Sequence, residues 1–472
     1  MSAAEGAVTV PRRAWPTSAG SRSGPPGLPR LLAGGPAGRS PDCSSGRSAG
    51  GSHGQAASLA EHLARHGALP VRADADRQDL ISEVERAGLT GRGGAAFPTG
   101  AKLRTLAAAG RTPLVIANGT EGEPASGKDR ALLASAPHLV LDGAVYAAGL
   151  IGAHEAVVVV HPAVLGAVTR AAAERHNVGQ NAGRGAGGHR VRVRVAEAAP
   201  GFVAGEASAV VSWVEQGDAR PTGRPPRSGG AARPGEPGRG RRAGRPVLVQ
   251  NVETLAHLAL IARHGAEWFR SAGTPAEAGS MLITVAGAVR RPGVYEIGIG
   301  TPVHELTDRA GGAYTPLSAF LIGGYFGTWV SAEAAMGRPF SAAGLAGLGA
   351  SPGAGLIAAL PDNQCGLAET ARLGRYLAGE SAGQCGPCVF GLDAIAGQLA
   401  RLATGQSAEL GTIRRWLGQV TGRGGCRHPD GVARMVASAL DVFAAETAGH
   451  AHGWCRATST AHLLPVPGPG RP

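Results

Sequence analysis

The chain has 472 residues, 43% of them apolar, enough for roughly two to four domains with real cores; its six cysteines exclude a disulfide-framed secreted scaffold. The formal charge of +12 rests on arginines crowded into glycine- and proline-rich stretches, with no basic face interleaved with aromatics, so no nucleic acid partner is expected. Of 46 basic residues only Lys102 and Lys128 are lysines, which marks both as positions that need a compact ammonium.

Residues 1–55 are rich in Ser, Gly, Pro and Arg without periodicity and predict a disordered arm. They show no charged-then-apolar leader, and with so few cysteines a reducing cytoplasm is the expected location. From 56 the pattern changes: "SLAEHLARHG" and "DLISEVERAGL" have helical spacing, a glycine-rich loop follows, and "TPLVIANG" reads as a strand. Alternating helix and strand to about 278 predicts an α/β domain over 56–278. Its most apolar stretch, 139–160, is interrupted by Asp142, His154 and Glu155, which predicts a helix and a buried strand "AVVVV" rather than direct membrane insertion. The segments 177–190 and 225–246 are too polar and glycine-rich to fold alone and are expected to be loops, the second either a genuine insertion or a locally altered reading frame.

"MLITVAGAV" followed by "RPGVYEIGIGTPVHEL" reads as strand, Pro-Gly turn, strand and helix, a small α+β unit over 279–335. Over 336–446 helical faces recur: Leu392, Ile395, Leu399 and Leu402; Ile413, Trp416, Leu417 and Val420; Val432, Val436, Leu440 and Phe443. With a helix at about 367–379 they predict a four-helix bundle, and 447–472 is expected to be a flexible tail.

That bundle places the cysteines. In an up-down bundle the loops after the first and third helices share one end, which brings Cys385 and Cys388 of "ESAGQCGPC" toward Cys426, as ligands of a metal or cluster. Cys-Gly-Pro-Cys also suits a redox dithiol, but such dithiols follow a strand and here a helix precedes. Redox-active or inert thiols stand as the alternatives.

In "GLTGRGGAAFPTGAK" (88–102), the glycines at 91, 93 and 94 let backbone N–H groups approach an anion, and Lys102 adds a point charge. Phe97 is either core or a ring that stacks on a flat ligand. "NGTEGEPASGKDR" (118–130) ends its strand with Asn118, Glu121 and Glu123, which could accept ribose hydroxyls or form a solvated turn. Glu206, Asn251 and Thr254 are polar residues set among apolar or glycine neighbours.

These motifs, with "PHLVLDG", "IGAHEA", "GEAS", "NVETLAHL" and "AGAVRRPGVYEIGIGTP", resemble the NADH-oxidising flavoprotein (F) subunit of respiratory complex I over about 57–445. The resemblance implies a Rossmann-like α/β domain binding FMN and NADH in one cavity, a small ubiquitin-like (SLBB-type) domain and a bundle carrying a 4Fe-4S cluster. It also implies that Gly91, Arg92, Gly93, Gly94 and Lys102 hold FMN, with Asn118, Glu121, Asn251 and Thr254 around its ribityl chain and phosphate. Phe97 and Glu123 resemble the stacking and ribose contacts of NADH, and Glu206 lies near the flavin. Electrons would leave to an iron-sulfur partner, ferredoxin-like or a 2Fe-2S subunit.

Two departures stand out. Ala382 takes the place of the first of four cluster cysteines, leaving Cys385, Cys388 and Cys426, with His428 and Cys365 as candidate substitutes. Ala207 stands where the family usually has a second glutamate beside the flavin. The sequence therefore leaves room for a non-catalytic scaffold or ligand-binding relative that has lost the cluster.

Overall fold

The computed structural model describes residues 28, 30–32, 56–70, 76–177, 182–184, 190–223 and 245–467. Three helices, α1 (Leu59–His66), α2 (Arg77–Ala87) and α3 (Thr99–Ala107), precede strand β1 (Leu114–Gly119). Then follow α4 (Lys128–Ser135), α5 (Pro137–Ile151), β2 (Glu155–Val160), α6 (Pro162–Asn177), β3 (Ala182–Arg184), β4 (Arg190–Glu197), α7 (Ala207–Gln216), β5 (Val247–Asn251) and α8 (Val252–Arg270). The sheet order is β3-β4-β2-β1-β5, parallel except for β3 at one edge. β1 and β2 are almost wholly apolar because both faces are covered.

The chain leaves β1 toward β2 and β4 on one side, then returns to lay β5 on the other. In a parallel sheet such a reversal opens a crevice at the carboxyl ends of the two strands, here β1 and β5. Helices α5 and α8 cross closely over the sheet: a Cβ on Gly143 would lie 1.9 Å from the Leu255 carbonyl oxygen. The Asp142 that interrupts this apolar helix is buried and paired with Arg175 at 2.7 Å, His62 at 2.8 Å and Arg263. Burial alone would raise its carboxyl, but Arg175, His62 and Arg263 outweigh that and hold it below the usual range. No single helix among the described residues is long and apolar enough to cross a membrane; α4 and α5 pass that test only together, bent by 97°.

The second unit holds β6 (Ser280–Gly287), β7 (Gly293–Gly298), α9 (Val303–Arg309), β8 (Leu317–Ile322), β9 (Thr328–Ser331), the short α10 (Ala332–Ala335) and α11 (Ala342–Ala346), and β10 (Leu356–Pro361). Its sheet order, β7-β6-β10-β8-β9, puts β10 at the centre, parallel to β6 and antiparallel to β8. The unit therefore runs past the expected boundary at 335. "LIAALP" is buried along its whole length and carries no alternation that would have marked it as a strand.

The bundle consists of α12 (Gly366–Gly379), α13 (Asp393–Ala403), α14 (Leu410–Val420) and α15 (His428–Val442), with a π-helical turn over Pro387–Leu392 leading into α13. A fifth helix, α16 (Ala444–Ala451), corrects the expectation of a flexible tail from 447. Beyond it the chain packs back on the bundle: Leu464 is buried, its N–H donates to Glu369 at 3.1 Å, and its carbonyl accepts from Arg372.

Part of the expected arm is ordered as well. The N–H groups of Arg30 and Leu31 donate to one oxygen of the buried Glu296 at 2.7 and 2.8 Å, and Leu31 and Leu32 are buried. A buried carboxylate needs such donors, and this segment supplies them. The rest of 1–55, most of the 177–190 loop and nearly all of the 225–246 loop lie outside the described residues; Ala182–Arg184 pairs with β4 instead of forming open loop.

Candidate functional site

The glycine loop lies between α2 and α3, over the crevice. A Cβ on Gly93 would sit 3.5 Å from Asn251 Cβ, one on Gly91 would sit 4.0 Å from Gln250 Oε1, and one on Gly94 would sit 3.5 Å from the Gly353 backbone. Gly94 has φ +99°, and Ala96 at φ 49° holds a left-handed conformation that a side chain disfavours. The Arg92 N–H donates to the Thr254 hydroxyl at 2.9 Å, tying the loop to the start of α8. The Arg92 guanidinium turns inward: it donates to Thr90 at 2.8 Å and to the Ser280 carbonyl at 3.1 Å, and lies 3.9 Å from Glu253. It braces the loop from beneath. Phe97 is 50% exposed, which removes it from the core, and Lys102 Nζ lies 5.6 Å from its ring centroid. Lys102 is half-buried, which lowers its pKa, and it has no carboxylate within ion-pair distance among the described residues.

At the ends of β1 and β5, Asn118 donates to the Gly205 carbonyl at 2.9 Å, and Asn251 caps α8 while donating to Asp129 at 2.7 Å. Glu121, at φ 48°, accepts from Ser126, Asp129 N–H and Arg130 N–H at 2.8, 2.9 and 3.0 Å, so its carboxylate closes the start of α4. Glu123 accepts from the Tyr325 N–H at 3.0 Å through one oxygen, while the other is buried without a partner. Burial pushes its carboxyl up to about 8; the Tyr325 N–H opposes this and the neighbouring Glu121 charge adds to it. Buried Thr120 Oγ1 and Gln250 Nε2 also lack partners. Unpaired buried polar atoms call for a polar ligand, and three of them at the carboxyl ends of β1 and β5 suit the hydroxyls of a flavin's ribityl chain and of a dinucleotide's ribose.

Beneath the crevice lies a network that the sequence reading missed. Buried Lys128 sits 2.8 Å from both Asp129 and Glu253, and Glu253 accepts from the Leu282 N–H of β6 at 2.8 Å. Burial would raise the Glu253 carboxyl, but Lys128, His257 and Arg92 bring it down to about 2. Only the rarity of lysine in this chain pointed to Lys128.

The thiols of Cys385, Cys388 and Cys426 converge at one end of the bundle. The Gly425 N–H points at Cys385 Sγ across 3.5 Å. Burial pushes Cys388 up to about 12, with Cys385 adding its charge; Cys426 is raised by burial, with Glu206 and Cys385 adding theirs. Three thiols gathered at one corner fit a shared cationic centre, which would stabilise their thiolates. Glu206 thus faces the cysteine corner while capping α7 through Ser208 and Ala209 N–H at 2.8 and 3.1 Å. Glu380 joins the two sites: its carboxylate accepts the Phe202 N–H at 2.7 Å, linking the cysteine loop to the segment before Glu206. Ala382 is half-buried and offers no ligand atom. The two candidate substitutes stand differently: His428 keeps a buried ring nitrogen, Nδ1, without a partner, whereas Cys365 is remote. The His428 ring nitrogen Nε2 bonds the Leu377 carbonyl at 2.7 Å, and Cys365 starts α12, about 20 Å along the helix from the cysteine loop.

Residues 84–260 match the Nuo51 FMN-binding domain family, 282–319 the SLBB domain, and 368–450 the NADH-ubiquinone oxidoreductase-F iron-sulfur binding region. Over 383 residues the chain is 30% identical to the second F-type subunit of the NADH-quinone oxidoreductase of Rhizobium meliloti, covering 79% of this chain and 88% of that protein. The chain belongs to the family of F-type subunits of NADH-quinone oxidoreductase. The F-type subunit of the Mycobacterium tuberculosis NADH-quinone oxidoreductase is 31% identical over 392 residues, covering 79% of this chain and 85% of that one. Among solved structures, an NAD+-reducing NiFe-hydrogenase in the H2-reduced state superposes with a TM-score of 0.68 at 30% identity, over 79% of this chain and 62% of that chain. This F-type chain therefore spans less than two thirds of that hydrogenase chain.

Proposed function

We propose that the chain oxidises NADH through FMN and passes the electrons to an iron-sulfur cluster or partner. The observation that carries this is the convergence, inside the segment matching the FMN-binding family, of the 91–94 loop, the end of β1 and the start of α8 on one crevice, joined through Glu380 to the thiol corner. FMN, when bound, accepts hydride as a two-electron carrier and releases electrons one at a time.

The protein's own part is positioning and charge. Backbone N–H groups at Gly93 and Gly94, with the Lys102 ammonium, hold the phosphate end, and Arg92 and Thr254 fix the loop from behind. Asn118 and Asn251 line the ribityl chain, while Glu121 shapes the backbone there by closing α4. Phe97 stacks on the nicotinamide dinucleotide. Glu123, protonated near neutral pH by its raised pKa, donates to or accepts from a ribose hydroxyl. Cys385, Cys388 and Cys426 would hold three irons of a 4Fe-4S cluster, with the fourth corner, beside Ala382, left to solvent or another ligand. The partner is an iron-sulfur electron carrier that docks where Val389 and Phe390 are exposed beside Cys388.

Ala382 favours a second reading, a relative that keeps the fold and has lost electron transfer. NADH-dependent ferricyanide reduction by the purified protein separates the two. Rapid reduction with bound flavin supports the oxidoreductase, and neither flavin nor activity supports the scaffold.

A further inference from the structure

At the opposite end of α12 from the cysteine loop, a second group of potential ligands stands apart from the flavin and cluster sites. Cys365 caps the start of α12, His450 lies in α16, and Cys455 follows α16 after a short turn. One ligand atom from each lies within 4.8 Å of the other two, and Cys365 Sγ is 3.4 Å from His450 Nε2. A tetrahedral zinc ion, with Zn–S about 2.3 Å and Zn–N about 2.0 Å, sets its thiolate and imidazole ligands about 3.5 Å apart and two thiolates about 3.8 Å apart. The spacing is therefore that of a single ion, whereas the thiols of a cube each bind a different iron.

We propose that Cys365, His450 and Cys455 bind one Zn2+ ion, with the fourth position open to solvent on the exposed Cys455 side. Two thiolates and an imidazole favour zinc over magnesium or calcium, and the two thiolate charges balance the ion. The surroundings fit. Glu446, one turn before His450, accepts from the Cys365 thiol at 3.4 Å and the Leu367 N–H at 3.2 Å, while Arg456 lies 3.2 Å from its other oxygen. On binding zinc Cys365 releases the proton it donates to Glu446; the Ala368 N–H, 3.3 Å from Sγ, then supports the thiolate and Arg456 balances the carboxylate.

The ion would clip the end of the chain to the start of the bundle. From Cys455 the chain runs back along α12, where Thr458 and Ser459 N–H donate to the Asn363 carbonyl at 3.0 Å and the Tyr325 hydroxyl donates to the Pro465 carbonyl. Tyr325 is the residue whose N–H holds Glu123, so the clip steadies a strut of the flavin crevice from the far side.

The test is the zinc and iron content of the full-length protein, purified under reducing conditions and then incubated with Zn2+ alone, beside its Cys455→Ser variant. The expected result is one zinc per chain in the parent, and in the variant binding weakened by at least about 100-fold, beyond the 10- to 100-fold cost of outer-shell losses, with iron content unchanged. Zinc retained by the variant, or not taken up by the parent, would overturn the proposal, as would recovery of Cys365 and Cys455 as a disulfide from anaerobically handled protein. Should iron fall together with zinc in the variant, Co2+ added to Cys388→Ser protein, whose cluster corner has lost a ligand, decides the matter: thiolate charge-transfer and tetrahedral visible bands that vanish when Cys455→Ser is added support the site, and bands absent or unchanged remove it.

Discussion

The flavin crevice and the cysteine corner are built on different terms. In the crevice nearly every motif residue is tied into the protein itself. Arg92 braces a loop, Thr254 anchors it, Glu121 caps a helix, and Lys128 with Glu253 joins the first two domains from beneath. At the corner the three thiols are held chiefly by loops and by one another, and the fourth position is an alanine. The crevice is therefore fixed by folding before any ligand arrives. The corner carries fewer ties to the rest of the protein, so a substitution there is expected to be tolerated by the fold and felt by electron transfer.

Breaking the network beneath the crevice should give the largest effect. Lys128→Met leaves Asp129 and Glu253 buried without their cation, and the expected loss of stability is about 3–5 kcal/mol, the cost of removing one partner of a buried ion pair. A urea unfolding curve measures it, and flavin should fall with the fold. A midpoint near the parent's would mean that the network carries little of the domain.

The corner should respond in the opposite way. Cys388→Ser is expected to abolish iron content while leaving flavin content and NADH–ferricyanide activity close to the parent's, and Ala382→Cys is expected to raise the iron retained per chain. Iron analysis with an activity assay reads both. Loss of flavin in Cys388→Ser would show that the two sites are not separable.

Glu123 sharpens the comparison through pH. Its carboxyl stands at about 8 in the folded chain against an ordinary value near 4.3. Between those values the native state holds more protons than the unfolded one, so this group lowers stability as pH rises from about 4.5 to 8 and adds no further change above. Glu123→Gln removes that slope: its melting temperature relative to the parent should climb from pH 5 to pH 8 and then level. A constant offset across that range would place the Glu123 pKa near its ordinary value.

The smallest effect is expected at Ala207, exposed at the start of α7. Ala207→Glu adds a negative charge that disfavours the more anionic reduced flavin, so the flavin midpoint should fall by less than about 1 kcal/mol per electron pair, the size of an exposed charge interaction. A redox titration with no shift would remove Ala207 from the flavin's surroundings.

What could be read from the sequence follows from what is local. The crevice motifs, the bundle periodicity and the meeting of Cys385, Cys388 and Cys426 all depend on short-range spacing. The duties of Arg92 and Glu121 do not: the first depends on Ser280, 188 residues away, and the second on the strained backbone at its own position. Residues 452–467 carry no helical or strand period, so their packing on α12 was invisible. The approach of Cys365 to His450, 85 residues later, appears only once α12 and α16 are side by side. Ala382 was legible as a missing ligand. That Cys365 stands too far away to replace it required the length of α12 to be seen.

The central claim is that NADH electrons pass through flavin to iron in this chain despite the alanine at 382. Its most direct test is anaerobic purification followed by absorption spectra, iron and sulfide analysis and low-temperature EPR before and after NADH. The account predicts flavin bands together with an iron-sulfur EPR signal that changes on adding NADH. Flavin reduced by NADH in protein devoid of iron would contradict it.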